Sequence, residues 1–225
     1  MANKDFKKED YQLENVNEAL SSSAQWFVDH KDLLTWCVAG VLLVVIIVMA
    51  VSAFVVKPNK EEAANKNALA EAYFVQGDYA HALDGDKAEC EGFRQVAKDY
   101  SLYQEGKLAA LYAGVCSYEL GELEDAAKYL GKFSADDVNI GPAAAMRLGD
   151  VYVELDEYGK AVKAFDQAAA SENEFIAPMA LKKKGLVLLE QDNKKGALKA
   201  FETIKKHYPQ SSEAQDIDKY ISLAK

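Results

Sequence analysis

Three stretches of this chain can be laid over one another: LAALYAGVCSYELGELEDAAKYLGKF, AAAMRLGDVYVELDEYGKAVKAFDQA and MALKKKGLVLLEQDNKKGALKAFETI. Gly114, Gly149 and Gly185 fall 35 and 36 residues apart, as do Ala126, Ala161 and Ala197, and Leu130, Phe165 and Phe201. A unit of that length is one supersecondary element that cannot bury its apolar side alone, so copies must stack. The repeat therefore predicts an all-α helical solenoid with three clear units.

Each unit reads as two helices around a turn, at Gly121-Glu122, Asp156-Glu157 and Asp192-Asn193. Pro142 and Pro178, 36 apart, sit where a first helical residue is expected, a place that tolerates a missing amide hydrogen. Glycine inside a helix costs roughly 1 kcal/mol relative to alanine. Close approach of a second helix offsets that cost, and the alanines twelve residues later are expected to complete the contact. A fourth, degenerate copy precedes these, its first helix over 62–76. Its second is recognised in FRQVAKDYS, which parallels FETIKKHYP, and the insertion HALDGDKAEC lies between. At the other end SSEAQDIDKYISLAK opens with a Ser212-x-x-Gln215 capping box and reads as a helix closing the last repeat.

Gly149, Tyr152, Tyr158, Ala161, Phe165 and Ala168, with Pro209 late in the last unit, resemble the tetratricopeptide repeat, whose period is near 34 residues.

Residues 33–56, LLTWCVAGVLLVVIIVMAVSAFVV, carry no charge. At about 1.5 Å per residue they make a helix of about 36 Å, enough to cross a ~30 Å hydrocarbon layer with some tilt. A core helix would show a polar stripe, and here only Thr35 and Ser52 are polar, with hydroxyls able to bond backward to helix carbonyls. Val51-Ser52-Ala53 has the small residues of a signal-cleavage site. The acidic leader and the length of the run argue instead for a retained transmembrane helix. Trp36 and the Lys57 to Lys60 flank suit the two interfaces. The predicted organisation is a leader over 1–32, a transmembrane helix over 33–56 and a repeat domain over 57–225, joined by a linker of a few residues. Lys57, Lys60 and Lys66 follow the span closely whereas Lys31 alone closely precedes it, which favours a cytoplasmic repeat domain. Long domains translocate regardless of such a bias, so charge leaves orientation open.

The leader carries four lysines against seven acidic residues and the repeat domain 22 basic against 29 acidic, giving the chain a net charge of -10. Neither half has the basic stripe of a nucleic-acid binder. Leu13, Val16 and Leu20 form one stripe of a short helix, read either as a docking helix or as a frayed leader. Of the three cysteines Cys37 lies in the apolar run, and Cys90 and Cys116 are either small buried hydrophobes or a pair in an oxidising compartment.

The anchor after an acidic leader, the divergent first repeat with Leu83-Asp84-Gly85-Asp86 and the closing EAQDIDKYI together resemble the YfgM-like class of ancillary SecYEG translocon subunits. That resemblance implies an inner-membrane anchor with the repeats in the periplasm, and partners among Sec translocon subunits, chaperones or exported chains. In repeats of this type the first helix of each pair lines the concave face. The implied partner groove is Leu111, Val115 and Tyr118, then Met146, Asp150 and Val153, then Lys182, Leu186 and Leu189. Such a groove takes an apolar or amphipathic protein segment, unless the same residues pack against neighbouring helices. The lysine and asparagine clamp of one subtype is missing, since Val115, Asp150 and Leu186 stand at the asparagine position.

Catalysis needs converging nucleophiles, bases or metal ligands. His30, His81 and His207 are isolated in sequence, there is no glycine-rich phosphate loop or Cys-x-x-Cys, and Asp84-Gly85-Asp86 lacks the later ligands of a calcium loop. The expectation is a non-enzymatic binding adaptor without cofactor, metal or small-molecule substrate, or alternatively a scaffold subunit of an envelope or secretion assembly.

Overall fold

The computed structural model describes residues 26, 30–86, 89–134, 138–171 and 173–225. The chain divides into two compact units, residues 1–58 and 59–225. The stripe of Leu13, Val16 and Leu20 lies outside the described residues.

In the first unit the uncharged run forms α1 (Lys31–Val51), none of whose 21 residues is buried. Thr35 Oγ1 donates to the Lys31 carbonyl at 2.7 Å, so its hydroxyl is satisfied within the helix. One wide π-helical turn follows over Ser52–Val56, closed by the Lys57 amide on the Ser52 carbonyl. Its position has a local cause. Pro58 lacks an amide and its ring crowds the carbonyl four residues back, and widening the turn before it relieves both. The next helix, α2 (Lys57–Val75), includes Pro58 and Asn59, so the stretch read as a linker is helical.

The second unit is a stack of helix pairs. After α2 come α3 (Tyr79–Asp84) and α4 (Phe93–Asp99). Then follow α5 (Gln104–Glu119) with α6 (Leu123–Leu130), α7 (Ile140–Glu154) with α8 (Tyr158–Ala169), and α9 (Ile176–Glu190) with α10 (Lys194–His207). Each second helix packs on its own partner and on the first helix of the next pair: α4 on α5, α6 on α7, α8 on α9.

The turns between paired helices share one geometry. Gly77, Gly121, Asp156 and Asp192 have φ of 78°, 78°, 57° and 56°, the left-handed region. After each, the following amide reaches five residues back: Asp78 to Tyr73, Glu122 to Ser117, Glu157 to Tyr152 and Asn193 to Leu188. This is a Schellman closure, which satisfies carbonyls that a helix end leaves open.

The helix glycines are notches, and the atoms nearest to them are not those of the alanines. A Cβ on Gly149 would lie 2.4 Å from the Phe165 ring, one on Gly185 2.3 Å from the Phe201 ring, and one on Gly114 2.6 Å from Leu130 Cγ. The occupant is thus the large residue sixteen positions on, while Ala126, Ala161 and Ala197 are buried one turn earlier on the same helix.

The degenerate copy differs more than its sequence implied. Its second helix begins at Tyr79, where Ala82 stands in the place of Ala126, and resumes at Phe93, in the place of Leu130. The insertion thus splits one helix in two rather than parting a first helix from a second. Asp86 holds the intervening loop: Oδ1 accepts from the Glu89 and Cys90 amides, both at 2.9 Å, and Oδ2 accepts from Tyr73 Oη at 2.8 Å. The phenol is held protonated by that bond above all. Glycine is required at both ends of the loop, because a Cβ at Gly85 would lie 2.2 Å from the Cys90 carbonyl oxygen and one at Gly92 2.2 Å from that of Leu83. Cys90 and Cys116 are free, buried thiols in the core beside this loop.

Two boundary expectations also shift. Pro142 and Pro178 are the third residues of α7 and α9, not the first. The reason for tolerance is unchanged, since the first four amides of a helix have no partner within it. The closing segment is a 3-10 turn, Ser212–Ala214, then α11 (Ile217–Leu223), and its cap is Ser211, whose Oγ accepts from the Ala214 amide at 3.3 Å. Ser212 bonds the Glu213 carboxylate instead. Ile217, Ile221 and Ala224 cover a core that includes Phe201 and Ile204.

Candidate protein-interaction groove

The first helices of the pairs line an open cavity of about 710 Å³. Phe74 closes one end from α2. Leu111, Tyr112 and Val115 come from α5; Ala143, Met146, Arg147 and Asp150 from α7; Ile176, Met179 and Lys183 from α9. The 36-residue repeat places Ile140 beside Ile176, Ala143 beside Met179 and Arg147 beside Lys183 along successive helices. Packing sets the floor: Phe74 meets Tyr112 edge to face with centroids 5.0 Å apart, and Tyr112 stacks on Phe93 at 4.7 Å. Burial, with Glu71 nearby, pushes the Tyr112 phenol up.

Of the nine groove residues read from sequence, Leu111, Val115, Met146 and Asp150 line this cavity. Tyr118 does not; it lies between helices, packed near Leu130 and Val151, and donates its hydroxyl to Glu154. Val153 packs against the Phe165 and Val187 cluster, and Leu189 against that of Phe201 and Ile217. Lys182 is engaged by the closing segment, 2.7 Å from Asp216 and 4.9 Å from the Tyr220 ring centroid. Leu186 is 41% exposed on α9, outside the cavity lining.

Phe74, Tyr112, Ala143, Arg147, Ile176, Met179 and Lys183 line the cavity without having been singled out. For Tyr112, Arg147 and Lys183 the signal is the repeat itself, read one position along from the chosen stripe.

Charge in the groove is partly neutralised. Lys183 Nζ lies 2.8 Å from Asp150 Oδ1. The Arg147 guanidinium stands 5.0 Å from the centroid of the Tyr118 ring. Where α7 and α9 begin, Asn173 accepts from the Phe175 and Ile176 amides at 2.9 Å and donates to Asn139 at 2.8 Å, linking the two helix starts at the cavity rim. His81 pairs with Asp78, whose carboxylate also accepts the His81 amide as the cap of α3. Among the described residues no group of three or more His, Cys, Asp or Glu is arranged to hold a metal ion.

Stacked helix pairs, notched by glycine and closed by a final helix, define a repeat protein, and residues 25–219 match the family described as tetratricopeptide repeat-like domain. The chain belongs to that family. Among solved structures it is similar to two of MamA. One is 21% identical over 73% of this chain and 91% of that one, with a TM-score of 0.53. The other is 22% identical over 69% and 91%, with a TM-score of 0.50. It is also similar to a Podospora anserina kinesin light chain with nearly identical TPR-like repeats, 12% identical over 74% and 85% of the two chains, TM-score 0.53. A comparison with curated proteins found no match.

Proposed function

We propose that this protein is a membrane-anchored, non-enzymatic adaptor whose repeat unit binds other proteins through the groove lined by α2, α5, α7 and α9. One observation carries the reading: the groove is open, about 710 Å³ in volume and mostly apolar in its lining residues, a form suited to part of a helix or an extended chain. A helix of 21 unburied residues, long and apolar enough to cross a membrane, supports the anchor. So does the extent of the family match, which begins at residue 25 and takes in that helix with the repeats. The organisation remains leader 1–32, transmembrane helix 33–56 and repeat domain 57–225.

The finer reading rests on the resemblance to ancillary translocon subunits. It places the anchor in a bacterial inner membrane beside the Sec channel with the repeats in the periplasm, where the groove receives exported chains or chaperones. The nine residues from Leu111 to Leu189 remain the broader candidate surface, with Leu111, Val115, Met146 and Asp150 at its centre. The Lys57, Lys60 and Lys66 flank favours the opposite orientation, with a cytoplasmic adaptor as the result. Protease treatment of intact spheroplasts separates the two: a digested repeat unit supports the periplasmic reading and a protected one the cytoplasmic. A photo-crosslinker at Met179 then reads the partner. Transient adducts with exported chains support the adaptor, whereas a single stoichiometric adduct that survives detergent makes the protein a scaffold subunit instead.

A further inference from the structure

The chain has two arginines, and the structure treats them oppositely. Arg94, on α4, reaches three carboxylates: Asp84 at 2.9 Å, Glu122 at 2.8 Å and Asp125 at 2.5 Å. Arg147 lines the groove, is half-buried, and among the described residues forms no ion pair. The acids nearest to it in the helix are already engaged, Asp150 with Lys183 and Glu154 with the Tyr118 hydroxyl. Among the described residues its one charge-related contact is the face of the Tyr118 ring, an interaction that uses the guanidinium plane and not its N–H donors. A half-buried guanidinium without an anion keeps a rigid fork of donors that matches a carboxylate.

The surroundings narrow the occupant. Arg147 shares the cavity lining with Met146, Ile176 and Met179, beside the mutually paired Asp150 and Lys183, so the segment that meets it is otherwise largely apolar. The lining takes in Phe74 from α2 and Met179 from α9, with Arg147 on α7 between them in helix order, an arrangement that suits a chain lying across several helices. The repeat domain carries 22 basic against 29 acidic residues, and this repels a polyanionic surface while leaving one isolated carboxylate at one guanidinium favourable.

We propose that the groove holds a protein segment that sets an aspartate or glutamate side chain on Arg147 while apolar residues of the same segment fill the floor between α5, α7 and α9. The inference rests on the groove being the protein-binding face, and its test separates the two. Full-length protein in nanodiscs is used to select from a phage library of random dodecamers fused at both ends, which offers side-chain carboxylates only. Selected sequences are expected to pair apolar residues with an adjacent Asp or Glu. Synthetic amidated versions with that acid changed to Gln should bind the wild type about tenfold more weakly, a difference of about 1.4 kcal/mol. On Arg147→Gln the acid and amide forms should bind alike, with part of the preference kept by Arg147→Lys.

Apolar sequences selected without acidic enrichment, an acid preference unchanged in Arg147→Gln, or tighter binding of the same apolar residues ending in a free terminal carboxylate would each overturn the carboxylate proposal and leave the groove standing. No selection above empty nanodiscs, or binding unaffected by Met179→Glu with Ala143→Glu, would overturn the groove itself. If Arg147→Gln fails to fold, Arg147→Met takes its place with the same expected loss of the acid preference.

Discussion

Gly149 and Phe165 are one contact: a Cβ added to the glycine would lie 2.4 Å from Cε1 of the ring, and the ring is 1% exposed with nowhere to move. Gly149→Ala gains up to roughly 1 kcal/mol of helix propensity and loses about 1–3 kcal/mol to overpacking. The expected net result is a lower melting temperature by a few degrees, followed by circular dichroism. Adding Phe165→Leu should recover part of the loss by shortening the occupant, as Leu130 already does opposite Gly114.

Asp156 and Asp192 occupy a left-handed position that Gly77 and Gly121 fill without strain. A non-glycine residue there costs roughly 1–2 kcal/mol, partly offset by the greater freedom glycine has in the unfolded chain. Asp192→Gly should therefore stabilise the repeat unit by about 0.5–1 kcal/mol. Asp156→Gly should gain less, because Asp156 also accepts a 2.9 Å hydrogen bond from Tyr158. Parallel denaturant titrations of the two variants check both values.

Arg94 ties the split second helix of the first pair to α6 and its cap. Burial raises the Asp125 carboxyl, but hydrogen bonds from Arg94 and Lys128 outweigh it and hold the group below its ordinary value. A carboxyl depressed in the folded state stabilises above its unfolded pKa, near 3.9, and the contribution is lost as pH falls through the folded value. Arg94→Ala is expected to cost about 1 kcal/mol at pH 7, a value discounted for solvent screening because Asp84, Glu122 and Asp125 are all at least one-third exposed. The gap from wild type should narrow below about pH 4. Melting curves of both proteins from pH 7 to 3 measure it, and a gap that does not depend on pH would show that Arg94 acts by packing alone.

Cys116 is fully buried, and burial pushes its thiol up to about 12. The folded value is raised, so its contribution is complete below the unfolded pKa of roughly 8.5 and declines as pH rises toward the folded value. Wild-type stability should fall between about pH 9 and 11, and Cys116→Ala should remove that part of the slope. Ellman's reagent at pH 8 should leave Cys116 unmodified until the protein is unfolded, as judged by mass mapping.

Val153 and Met179 separate packing from surface. Val153 is partly buried against the Phe165 cluster, so Val153→Glu sets a carboxylate against apolar side chains and should destabilise by about 1–3 kcal/mol. Met179 is 38% exposed, so Met179→Glu should change the melting temperature by no more than a degree or two while altering the groove. Unfolding curves of the two variants side by side test the distinction.

The sequence alone determined the paired helices, their turns and their stacking, because these depend on short-range rules. A 3.6-residue period makes each helix, a residue able to adopt positive φ ends it, and glycines recurring 35 and 36 residues apart mark where helices approach, although only the structure names the residue that fills each notch. Tertiary structure decided what each face meets. Val153 and Leu189 share a helical stripe with residues of the open groove, yet they pack against the Phe165 and Phe201 clusters, whereas Arg147, one position beyond Met146, lines the cavity. The seven residues added between Ala82 and Phe93 likewise read as a loop between two helices, and only the contacts of Asp86, Gly85 and Gly92 show one helix interrupted. Helical periodicity specifies an angle around one axis, whereas a groove depends on the angles between several axes, and those are set by side chains far apart in the chain.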